Sequence, residues 1–134
     1  DYDPRVSSRI LAGSQVGSGE LAEIRRAREQ MVAQFEQAMV EFDALIAPTV
    51  PIIAPRISEF EDDAAYIRLN LLLLRNPSLF NFLDSCAVTI PIQDPDNPPV
   101  GLMLSAPGGR DKSLLSSALT AEHILALDFG DMIG

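Results

Sequence analysis

Tryptophan is absent from this 134-residue chain, and histidine, cysteine and lysine occur once each, as His123, Cys86 and Lys112. These absences exclude a good deal of chemistry. A lone cysteine cannot form an internal disulfide, and Cys86 sits in an apolar run with no histidine or basic residue beside it to lower its pKa. The expectation is a small buried thiol in a reducing compartment, not a nucleophile. His123 follows Glu122 with no nucleophile or partner ligand in legible reach, so a structural or surface role is expected for it. Lys112 adjoins Ser113, but a Ser-Lys dyad needs a desolvated lysine, and Gly-Gly-Arg-Asp just before it makes the setting exposed and charged.

Long hydrophobic runs are missing too. Leu69 to Leu74 is the most apolar stretch, yet it contains Asn70 and is closed by Arg68 and Arg75, far short of the ~20 residues a membrane helix needs. No membrane partner is expected. Positive charge is scarce: the formal net charge is −9, which repels phosphate backbones, and no basic cluster larger than Arg25-Arg26-x-Arg28 offsets it. Nucleic acid is excluded as a partner on the same ground. The glycine-rich stretch from Gly13 to Gly19 fits neither a Gly-x-Ser-x-Gly elbow nor a phosphate loop, so it reads as a turn and cap. The acidic group Glu59, Glu61, Asp62 and Asp63 reads as a solvated loop and helix start, and neither metal nor cofactor is expected. Asp1 stands where Met would open a chain and no signal-peptide pattern follows, which points to processing or trimming at the start.

What is present is organised around Asp43 to Pro55. Leu45-Ile46-Ala47 reads as a short buried strand, and Pro48, Pro51 and Pro55 then forbid helix, so the strand leaves as a rigid extended arm. Upstream, Ser18 is a candidate N-cap for a long helix of about 18–42, with Leu21, Ile24, Met31, Phe35, Ala38 and Phe42 forming one apolar stripe and Arg28 its polar gap. Core packing is expected for it. Downstream, 64–74 reads as helix ending near Asn76 because Pro77 disfavours helical geometry before it, and Ser78 to Leu83 as a second, shorter helix. Two β-rich runs, Ala87 to Ile92 and Val100 to Ala106, flank the turn-forming Asp94-Pro95-Asp96-Asn97-Pro98-Pro99 and read as an antiparallel hairpin. Asp111 caps a last helix of about 111–126, and 128–134 holds no clear pattern. The order of elements is that of an α/β layer structure, a mixed sheet flanked by helices, in one domain.

Six features in this order resemble the amidase-signature hydrolases. They are Arg9-Ile10 ahead of the long helix; Asp43-Ala44-Leu45-Ile46-Ala47-Pro48-Thr49-Val50-Pro51 through Ala54-Pro55; Asn81-Phe82-Leu83-Asp84; Ala87 to Pro91; Pro99-Val100-Gly101-Leu102-Met103; and Asp111 through Leu114-Leu115 to Ala121-Glu122. The resemblance covers nearly all of Asp3 to Leu125 and falls on the carboxy-terminal portion of that family. It implies a cytoplasmic hydrolase of small-molecule amides, using a Ser nucleophile activated through a second Ser, in a cis peptide, and a Lys. The Gly-Gly-Ser-Ser-Gly-Gly run that marks this machinery is absent here, so no catalytic residue is assigned and the fragment alone is expected to be inactive.

By the same resemblance Arg9 is a candidate grip for a substrate carboxylate, with pairing to Asp1, Asp3 or Glu20 as its structural alternative. Asn81 and Asp84 are candidate pocket residues, with helix capping as theirs. Leu74 stands where the glutamine-using transfer-RNA amidotransferase subunit carries an acidic residue, which favours an amidase of the Asn-x-Leu-Asp type. A fragment of this kind would leave strand edges and an apolar sheet face uncovered and so self-associate. The alternative is an independent, non-catalytic α/β binding or interaction domain.

Overall fold

Asp3 and Pro4 start the first helix. The Asp3 carboxylate accepts from the Arg5 backbone N–H at 2.8 Å, and proline in the first turn loses no bond a helix would have made there. In the computed structural model, which describes residues 2–93 and 96–132, this helix α1 spans Pro4–Ala12 and runs through a 3-10 turn, Gly13–Gln15, towards α2, Ser18–Ala38. No helix was expected over Arg5 to Leu11; the Asp-Pro pair was the available signal. Gly17, not Ser18, is the residue that caps α2.

Strand β1, Leu45–Pro48, follows, then a 3-10 turn at Ile57–Phe60 and helix α3, Asp63–Phe82, whose N-terminus Asp62 caps by accepting from the Ala65 N–H at 2.7 Å. The break expected at Asn76-Pro77 is absent: α3 runs through Pro77 as one helix. Proline removes one ladder bond there. It is held from both sides, because Asn76 Nδ2 donates to the Pro48 carbonyl at 2.8 Å and Phe80 is buried. Strands β2, Ser85–Pro91, and β3, Gly101–Pro107, form the expected hairpin; Asp94 and Pro95 of its turn lie outside the described residues. Helix α4, Asp111–Met132, extends past the expected end near 126, through part of the segment in which no pattern was read; Ile133 and Gly134 lie outside the described residues.

The sheet order is β1-β3-β2, and both pairings are antiparallel. Pairing of Ile46 and Val88 with Leu104 puts Leu104, Ala106, Ile90 and Cys86 on one face, where they pack against Leu114 and Ala118 of α4. Met103 and Ser105 are buried on the other face, the side of α3, where the Ser85 hydroxyl donates to the Phe80 carbonyl at 2.9 Å. The result is a helix–sheet–helix layering, so the α/β expectation holds. Buried Ser105 is satisfied: its hydroxyl reaches Ser85 Oγ and the Cys86 carbonyl, each at 3.0 Å.

Two expectations about burial are corrected. Strand β1 is an edge strand with Ile46 66% exposed, not a buried one, because it pairs on one side only. Helix α2 has no buried residue, and its stripe residues Leu21, Ile24 and Met31 are exposed, because no surface within the described residues lies against that stripe.

Gly101 opens β3 where the side chain of Thr49, just past β1, meets that of Thr89 in β2. A Cβ there would stand 2.5 Å from Thr49 Oγ1 and 2.6 Å from Thr89 Cγ2. Gly101→Ala is therefore expected to cost about 1–3 kcal/mol, as overpacking does, in urea denaturation. Gly13→Ala, in open space, should be near neutral. Equal midpoints for the two variants would contradict this packing.

Candidate functional site

Arg9 lies exposed on α1 and, among the described residues, makes no ion pair or hydrogen bond. Of the three structural partners weighed for it, Asp3 binds Arg5, with Nη2 to Oδ2 at 2.8 Å and Nε to Oδ1 at 3.0 Å, Glu20 forms no ion pair with it, and Asp1 lies outside the described residues. Hydrogen bonding from Arg5 holds the Asp3 carboxyl down at about 2. The Arg5 guanidinium also stacks over Tyr66, 4.1 Å from the ring centroid, which docks α1 at the N-terminal end of α3.

Asn81 and Asp84 sit at the opposite end of α3, about 22 Å along the axis from Tyr66 at 1.5 Å per residue. No hydrogen bond or ion pair among the described residues joins Arg9 to either. Asp84 follows the α3 C-cap with φ 57°, the left-handed conformation in which helices commonly end. Its carboxylate meets Arg28 of α2 at 3.1 Å in an exposed pair. The polar gap in the α2 stripe is thus the cation that ties α2 to the α3–β2 corner. Gly108 fits under the same corner, since a Cβ there would stand 2.6 Å from the Asp84 carbonyl oxygen. Asn81 is exposed, and its backbone carbonyl accepts from Leu83 and Asp84.

A second locus, at the end of the sheet, was not singled out from sequence. The Thr49 hydroxyl donates to Thr89 Oγ1 at 3.1 Å, across Gly101, and the Thr49 N–H donates to the Gly101 carbonyl at 2.9 Å. Gln93 Oε1 accepts from the Val100 N–H at 3.1 Å. Three hollows of about 190, 270 and 260 Å³ share Val100 and Gly101 in their walls. Pro48, Pro51, Pro91 and Pro99 line them, and no charged side chain among the described residues does. The Pro-Thr-x-Pro run was the available signal, but the partner threonine is 40 positions away.

Cys86 is half-buried with its thiol 3.5 Å from the Ala106 and Pro107 carbonyls. Ser113 Oγ donates to the Arg110 carbonyl at 2.9 Å, a helix-start bond and not one to Lys112. Glu59 accepts from the Arg56 N–H at 2.7 Å, and no group of three or more His, Cys, Asp or Glu among the described residues could hold a metal ion. No helix among the described residues is long and apolar enough to cross a membrane.

Comparison with known proteins decides the family. The family model described as Amidase matches residues 1–115. The chain belongs to the amidase family. This amidase chain is 30% identical over 124 residues to a 2-amino-5-chloromuconic acid deaminase of Comamonas testosteroni, covering 92% of the chain and 27% of that relative. It is 25% identical over 127 residues to a glutamyl-tRNA(Gln) amidotransferase subunit of Halobacterium salinarum, covering 91% and 29%. It is 32% identical over 128 residues to the corresponding subunit of Symbiobacterium thermophilum, covering 92% and 26%. The chain spans about a quarter of the length of these curated relatives. No solved structure matches it.

Two outcomes follow from the geometry of these amidase-family residues. Asp84→Gly relieves about 1 kcal/mol of left-handed strain and loses a surface ion pair of similar or smaller worth, so its urea midpoint should equal or exceed the parent's. Asp84→Val should cost more than about 1 kcal/mol, and a glycine variant losing as much would show that the ion pair outweighs the backbone. The Asp3 carboxyl, lowered from 3.8 to about 2, supports α1 fully above pH 3.8 and loses that support as pH falls towards 2. An NMR titration should place its midpoint near 2; a midpoint near 3.8 would contradict the Arg5 contact.

Proposed function

We propose that this chain is the carboxy-terminal part of an amidase that hydrolyses amide C–N bonds by a Ser-cisSer-Lys mechanism, its catalytic residues lying outside the chain. The observation that carries the reading is membership of the amidase family over a span of only about a quarter of its relatives' length. The Gly-Gly-Ser-Ser-Gly-Gly machinery has no counterpart here, and the exposed α2 stripe and open sheet edges suit a chain that completes a larger sheet. In this reading the chain supplies sheet and one wall of a substrate pocket, acts in the cytoplasm on a small-molecule amide, and self-associates through its uncovered surface when isolated. It binds neither nucleic acid nor membrane.

Arg9, Asn81 and Asp84 are the proposed substrate-binding residues. Arg9 is the best placed chemically, because its guanidinium is uncommitted among the described residues and a planar fork suits a carboxylate. A relative named for action on an acid, the 2-amino-5-chloromuconic acid deaminase, supports a carboxylate-bearing substrate. Asp84 must exchange Arg28 for substrate or bind with both.

Ammonia release from a panel of amides, measured on the protein purified from its source, tests the reading, and no release from any of them would contradict it. Arg9→Met is expected to raise KM about tenfold or more for carboxylate-bearing amides while kcat changes little, the pattern of a lost charge-assisted hydrogen bond. An unchanged KM would remove Arg9 from the pocket.

A further inference from the structure

We propose that the outward face of α3 is an interface with a second copy of this protein, the two α3 helices lying parallel about a two-fold axis. The inference rests on the self-association read above and gives it a place. Helix α3 is apolar on two opposite faces, and the sheet uses one of them. Phe80 is buried and Asn76 reaches the Pro48 carbonyl, so these two mark the inward face, to which half-buried Leu69 and Leu73 also belong. Leu71 stands nine residues before Phe80, about 180° round a helix of 3.6 residues per turn, and is 52% exposed. A helix that is apolar all round is ordinarily buried all round.

The outward residues follow a coiled-coil repeat. Ala64, Ile67, Leu71, Leu74 and Ser78 recur at alternating steps of three and four, and every one of them is exposed. The repeat is short, about two heptads, and a free peptide of that length would not stay helical. Here α3 is already held by the sheet, so association does not have to order it. The seam stops about one turn before Asn81. Asn81 and Asp84 therefore stay clear of it.

Charge chooses both the partner and the direction. Arg68 and Arg75 flank the seam on one side, Asp63 and Asn70 on the other, each arginine five places after its counterpart. Asp63, Arg68 and Arg75 form no ion pair among the described residues. In a parallel pair, a residue on one flank faces the residue five places later on the partner's other flank, so Asp63 meets Arg68 and Asn70 meets Arg75, twice over. An antiparallel pair would set the arginine flank against itself. One surface thus carries both halves of the complement, as a two-fold interface requires and an unrelated partner does not.

The test is sedimentation equilibrium of the protein purified from its source, between about 1 and 300 µM because so short a seam binds weakly, with the native mass set against the denatured mass. A native mass rising to twice the denatured mass is expected. Leu71→Glu brings a carboxylate from each copy to the centre and should weaken the pair at least about tenfold, with circular dichroism and urea midpoint unchanged because Leu71 is exposed. Arg68→Glu sets like charges against Asp63 at both contacts and should weaken it about fivefold. Asp63→Lys combined with Arg68→Glu restores opposite signs and should recover most of that loss, a result misfolding cannot give; this pair of variants carries the test if Leu71→Glu does not fold. A monomer across the whole range would overturn the interface, and Leu71→Cys would then show, by shielding from maleimide or reaction with it, whether the rest of the polypeptide covers the face or leaves it bare. A dimer unmoved by Leu71→Glu, or a double variant as weak as Arg68→Glu, would overturn it too. Ammonia release reads the amidase assignment separately, so either reading can fail alone.

Discussion

Strand β3 is the only strand among the described residues with a hydrogen-bonded neighbour on each side, and the rest of the fold is referred to it. Its two pairings set which residues face α4 and which face α3, since a slip of one position would exchange the two faces. Ala106 is fully buried and Ser105 equally so, so β3 admits neither bulk nor an unpaired polar group. Both ends of the strand depend on glycine for the same reason. At one end Gly101 lets Thr49 and Thr89 meet over the strand; just past the other, Gly108 lets the Asp84 carbonyl approach. Arg110, two residues further on, donates to the Met39 carbonyl at 3.2 Å and brings the C-terminal end of α2 to the same corner.

That arrangement leaves apolar surface with nothing on it. Ile67, Leu71 and Leu74 are exposed on α3, Leu21, Ile24 and Met31 on α2, and β1 and β2 each keep one unpaired edge among the described residues. Several uncovered apolar faces on one small unit are more than an isolated domain ordinarily carries, and open edges invite further strands. Membership of the amidase family over about a quarter of its relatives' length accounts for both features together.

Elements punctuated by local chemistry were readable from sequence. The prolines at 48, 51 and 55 ended β1 where the arm begins, and the proline-rich turn separated β2 from β3. Helix α3 was harder, because Pro77 argues locally for a break while Asn76 and Phe80, anchored by tertiary contacts, hold the helix together. The α2 stripe was read correctly as a pattern and wrongly as core, since a stripe reports a preference for burial and not the presence of something to bury it. Of the candidate site, Asp84 could be named, but its left-handed backbone could not, because aspartate, though enriched in that conformation, adopts it at few of its positions. The threonine pair was out of reach for a different reason: a contact between positions 49 and 89 exists only once the strand order is known.

Whether this chain is one part of a larger amidase is tested most directly by the intact mass of the polypeptide from its source cell, under denaturing conditions. A mass roughly four times 14.5 kDa is expected, in keeping with the 27% of a relative that the chain spans. A mass near 14.5 kDa would contradict it and leave a free-standing α/β domain with exposed apolar faces of its own.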